Sequence, residues 1–129
     1  MTASTILSQI RTPLATALSS VTASVYAYVP EAIIPPAVVI VPDSPYLEPT
    51  LINQNNIKLQ INMTITAAVA YNSNPASLDN LEQLVLSVLA VIPDNFIVGQ
   101  IDRPTVTQVG ASTLLVSDIR VSTYYNQTN

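Results

Sequence analysis

The side chains of this chain with chemistry to offer are eight carboxylates and six tyrosines. Acid–base work by paired carboxylates would draw on Glu31, Asp43, Glu48, Asp79, Glu82, Asp94, Asp102 and Asp118. Such work needs two of them held together in environments that push their proton affinities apart. Asp43 and Glu48 lie near each other, but they flank Pro45 in a proline-rich stretch and read as solvated loop carboxylates. A weak divalent-cation site is the other use of that pair. Asp79 and Glu82 suit the start of a helix, where its dipole favours negative charge. Asp102 with Arg103, and Asp118 with Arg120, read as rim charges or cross-strand pairs of small worth.

The missing residue types exclude more. There is no histidine, the commonest general base and metal ligand, and no cysteine for a thiolate or a disulfide. A serine nucleophile would have no histidine to activate it. Two glycines, Gly99 and Gly110, cannot build a phosphate-cradling loop or a dinucleotide fingerprint. The tyrosines Tyr26, Tyr28 and Tyr46 would grip single-stranded nucleic acid only beside a basic groove. Four scattered cations, Arg11, Lys58, Arg103 and Arg120, do not make one. Tyrosine here is better used as an amphipathic anchor in a protein interface or at a core edge. The residues point away from an enzyme, and no cofactor and no metal are expected.

Composition leads the same way. A length of 129 residues suits one domain with a single core. Charged residues are only 9% of the chain, against a usual value of about 25%. Ser, Thr, Asn and Gln supply 42 residues, so the polar surface is mostly uncharged, while 49% of residues are hydrophobic. A domain with so few charges is expected to bury part of its surface against copies or partners. The net charge of −4 disfavours nucleic acid as a bound partner and suits a surface past which DNA slides without sticking. No apolar run reaches the roughly 18–20 residues that span a bilayer. Met1 to Ser8 carries no Lys or Arg, so the start reads as a mature helix rather than a signal peptide.

The elements that would position these residues follow from periodicity. Ile6, Ile10, Leu14 and Leu18 stand four apart and predict a helix over 4–20, with Ser4 as its cap. Pro13 interrupts it, so the helix bends at Thr12 or restarts at Pro13. Residues 37–41, AVVIV, predict a short strand buried on both faces, bounded by Pro35, Pro36 and Pro42. Residues 42–56 show no period and are expected to be an extended loop, stiffened by Pro45 and Pro49. Strict alternation from Ile57 to Tyr71 predicts a strand ~50 Å long that runs past the edge of its own core.

Asn74-Pro75 starts a helix carrying Leu78, Leu81, Leu84, Val85, Val88, Leu89 and Ile92, and Pro93 stops it. Residues 96–109, broken near Arg103-Pro104, and 113–124 predict two strands joined by a turn at 109–112; the tail 125–129 is expected to fray. The expectation is one α+β domain, order α-β-β-α-β-β, with two helices on one face of a mainly antiparallel four-stranded sheet.

In this order, the helix, the passage VYAYVPEAIIPPAVVIVPDSPYLEP, the long alternating strand, the Asn-Pro-started helix and the closing strands with a turn at VGAS resemble one family. The chain resembles the tail terminator proteins of long-tailed bacteriophages, particularly those infecting actinobacteria, over nearly its whole length. The resemblance implies a virion protein assembled as a homo-oligomeric ring, usually a hexamer, on the last ring of the tail tube protein. It implies a partner in the head-completion or neck proteins, and a channel that DNA traverses without specific binding. Within it, segment 42–56 is expected to be a preorganised contact arm. Tyr46 and Leu47 are its anchors, and Tyr28, Pro42, Asp43, Pro45, Glu48 and Pro49 complete the candidate interface. Another neck or tail tube protein, or a small monomeric adhesion domain, are the alternatives.

Overall fold

The computed structural model describes residues 10–21, 24–26, 35–52, 55–71, 75–109 and 112–128. In chain order these form α1 (Thr12–Leu18), β1 (Ser24–Tyr26), β2 (Ala37–Ile52), β3 (Asn56–Ala70), α2 (Pro75–Val91), β4 (Ile97–Ile101), β5 (Thr105–Val109) and β6 (Ser112–Thr128).

β3 and β6 form the spine, paired antiparallel without a break from Asn56↔Thr128 to Ala70↔Leu114. β2 lies antiparallel on the other side of β3, and β1 runs parallel to the start of β2. Beyond β6, β4 and β5 pair one after the other along its outer side. The expectation of a four-stranded, mainly antiparallel sheet in the order α-β-β-α-β-β is therefore wrong. Among the described residues one mixed sheet has six strands, ordered β1-β2-β3-β6-β4 with β5 also on β6.

The largest local correction concerns residues 42–56, expected as a loop. Residues 42–52 continue β2, and only 53–54 lie outside the described residues. Proline obscured the strand because it cannot donate to a ladder. An edge strand tolerates that loss where the N–H would face outward or falls in a bulge. Both conditions are met here. Past its first residues β2 has no described neighbour except β3, and its register slips between Pro42↔Met63 and Leu47↔Ile61, so residues 43–46 bulge.

Both helices pack on one face of the sheet. Leu14 and Leu18 of α1, with Leu81, Leu84, Val85 and Val88 of α2, meet Val38, Ile40, Ile61, Met63, Ile65, Ile119 and Val121 in one core. Each such side chain contributes about 1.5–3 kcal/mol on burial. Among the described residues the predicted first helix is α1 with a π-helical turn at Ile10 and Arg11 directly before it. Pro13 sits in its first turn, where a missing N–H costs nothing, and residues 4–9 lie outside the described residues. In α2 the stripe runs through Leu81, Leu84, Val85 and Val88, while Leu78 is exposed. Asp79 is its fifth residue, so the first turn carries no acid. The cap expected at Asn74 and the turn at Gly110–Ala111 lie outside the described residues.

β3 is buried at alternate positions from Ile61 to Ala67 and then through Val69, whereas Asn56–Gln60 are half-buried or exposed, with Leu59 still packed against the core. The tail does not fray as expected: β6 continues to Thr128, and Tyr125 is buried opposite Leu59. Among the described residues no helix is long and apolar enough to cross a membrane.

Candidate functional site

Three surfaces collect the side chains singled out by the sequence. The first is the bulged edge of β2. Asn62 of β3 donates from Nδ2 to the Pro45 carbonyl at 2.9 Å and to Glu48 Oε1 at 3.2 Å. Gln60 donates in turn to Asn62 Oδ1 at 3.3 Å. Thr50 Oγ1 donates to the Lys58 carbonyl at 3.1 Å, holding the far end of the strand. Pro42, Pro45, Leu47 and Pro49 are exposed here, and Asp43 and Glu48 are half-buried. Tyr46, expected as an anchor of the contact arm, packs against the molecule's own core. Leu47 is 38% exposed. Tyr28 lies outside the described residues. Seven of the eight candidate residues are thus on one sheet edge rather than on a loop arm.

The second surface is the face of the sheet opposite the helices. Alternation along β3 and β6 puts Asn62, Thr64, Thr66, Asp118, Arg120 and Ser122 there. Thr66 Oγ1 donates to Asp118 Oδ1 at 2.8 Å. Arg120 Nη2 stands 3.5 Å from Asp102 Oδ2, with both side chains about half exposed, so the pair contributes little. On the helix-covered side Ser117 Oγ donates to the Asp102 carbonyl at 2.7 Å, and the Asp102 N–H donates to the Asp118 carbonyl at 2.9 Å. A shallow trough of about 290 Å³ crosses this face between Asp43 and Pro45 on one side and Ile97 and Gly99 on the other. At the β1 end the same face is closed, with Ala37, Val39, Ala68 and Leu114 buried.

The third surface was not anticipated. Every residue of β4 is exposed, including Ile97, Val98 and Ile101, and Val106 of β5 is 53% exposed. A groove of about 340 Å³ runs between this edge and α2, lined by Leu81, Val85, Leu86, Ile101 and Pro104, with Glu82 and Arg103 at its rim. The signal was in FIVGQIDRP, an apolar run closed by a charged pair and proline. Its pattern predicts a strand, but not that the strand lies at the end of the sheet.

Glu48, Asp102 and Asp118 each hold a neighbour in the chain. They order strands and a bulge instead of converging on a reacting atom. Among the described residues no three His, Cys, Asp or Glu side chains gather as a metal site. What the arrangement offers is contact: an acidic, proline-bearing edge, a polar face and an apolar edge. No protein-family model matches the chain, and no curated protein is similar enough to count as a relative.

Proposed function

We propose that this protein is a structural subunit of a phage tail, one copy of a ring that caps the tail tube and ends its growth. The ring is a hexamer in this reading. It meets the tail tube protein on one side and a head-completion or neck protein on the other, and the genome passes through its channel unbound. The chain has no catalytic role, and its place is the neck end of the tail.

The observation that carries the reading is the exposed apolar strand edge, Ile97, Val98, Ile101 and Val106, on a domain of 129 residues. An exposed strand edge is a template for association, and natural monomers blunt it with charge, proline or a bulge. β2 is blunted in that way, whereas β4, although its register slips between Val98 and Ile101, keeps Ile97, Val98 and Ile101 exposed. The order of sequence elements, which resembles the tail terminators, supplies the kind of assembly.

Sedimentation of the purified protein over a concentration series, with and without magnesium, tests this. A closed oligomer of fixed mass, six copies in this proposal, is expected. Open-ended polymers would transfer the assignment to a tail tube subunit. A monomer that stays monomeric at millimolar concentration, and that also fails to bind tail tubes lacking their cap, would overturn the reading.

A further inference from the structure

We propose that copies of this chain join head to tail, the bulged β2 edge of one copy against the β4–β5 edge of the next. This rests on the ring reading above and names the surfaces that meet. The two edges lie at opposite ends of the sheet and differ in kind. Residues 37–52 of β2 carry Asp43 and Glu48 and no Lys or Arg. On the other edge Asp102 is paired with Arg120, and Arg103, exposed beside Glu82 of α2, is the cation that the strand edge itself presents. Each edge also exposes apolar side chains, Pro42, Pro45, Leu47 and Pro49 on one and Ile97, Val98, Ile101 and Val106 on the other.

Two copies meeting by the same edge would set acid against acid, or Arg103 against Arg103. Unlike edges bring opposite charges together with apolar side chains between them. A contact between unlike patches is head to tail, and it closes into a ring when the rotation allows. The three prolines remove backbone donors along β2, so one sheet does not simply extend into the next. The contact is then made by side chains, and charge decides which edge is accepted.

The absence of cysteine makes a cross-linking test clean. Leu47 is opposite Ile61 and Val98 opposite Val121, so both belong to the helix-covered side of the sheet at its two ends. Leu47→Cys and Val98→Cys proteins, mixed and oxidised, are expected to give a disulfide-linked heterodimer. Leu47→Cys/Val98→Cys in one chain is expected to give a ladder ending at the ring number. Separately, Arg103→Glu is expected to weaken association at least tenfold with melting temperature unchanged, and Glu48→Lys, which also removes an acceptor of Asn62 Nδ2, to weaken it at least tenfold with a lowered melting temperature. An equimolar mixture of the two should reassemble, since their altered charges are again complementary. Homodimers of Val98→Cys alone, or a mixture that fails to reassemble, would overturn the head-to-tail assignment. If the unmodified protein still sediments as a closed ring in that case, the ring stands and other surfaces form it. A protein that gives no cross-link in either format, stays monomeric at millimolar concentration and fails to bind uncapped tail tubes would remove both.

Discussion

The Nδ2 of Asn62 lies 2.9 Å from the carbonyl oxygen of Pro45, fastening the middle of β3 to the bulge of its edge neighbour. The same nitrogen reaches Glu48. One half-buried amide therefore sets where the ladder slips and where it resumes at Leu47↔Ile61. Asn62→Ala is expected to lower stability by about 1–2 kcal/mol, the worth of a side-chain hydrogen bond plus its orphaned acceptor. Urea unfolding measures it, and hydrogen exchange should show faster opening of residues 45–49 than of β6. Equal exchange at both would remove the amide from this role.

Thr66 and Asp118 make the corresponding contact on the opposite side of β3, at 2.8 Å. Thr66→Val keeps the shape and removes the donor, leaving a half-buried carboxylate short of a partner. A loss of about 1–3 kcal/mol is expected. Asp118→Asn in the Thr66→Val background should add little further loss if the contact is the cause, because the hydrogen bond it would break is already gone.

Tyr125 separates an ordered strand end from a frayed one. It is 6% exposed and belongs to the core cluster. Tyr125→Ala should cost about 3–5 kcal/mol, as aromatic truncations in cores do. Tyr124→Ala, at 61% exposure, should cost less than about 0.5 kcal/mol. Similar melting temperatures for the two variants would contradict the buried placement of the strand end.

Leu14 shows whether the short first helix matters to the whole core. It is fully buried between the sheet and the rest of the cluster. Leu14→Ala is expected to destabilise by about 2–5 kcal/mol, the range for a large core truncation. Leu86→Ala, on the exposed side of α2, should be near neutral in the monomer.

The prolines of β2 protect an edge. Replacing Pro42, Pro45 and Pro49 by Thr restores three backbone donors and raises strand propensity on that edge. Faster aggregation, read by light scattering at fixed protein concentration, is the expected outcome. Scattering no faster than that of the unmodified protein would show that the prolines do not guard this edge.

The sequence by itself determined the elements whose signal is local. The alternation from Ile57 onward becomes β3, and the 3,4 spacing after Pro75 becomes α2, because one buried face imposes its period on the side chains that line it. Pro13 was readable as a boundary for the same local reason, a missing N–H. Tertiary structure alone decided what proline means between residues 42 and 49. In a chain read locally it breaks a ladder, and in an edge strand with a bulge it is admitted. The same holds for the tail, where Tyr125 becomes core only because Leu59 of β3 lies opposite it, more than sixty residues away in sequence. Which strands lie at the ends of the sheet, and so which residues face a neighbour, depends on pairing between distant segments. No window of sequence contains both partners of that pairing.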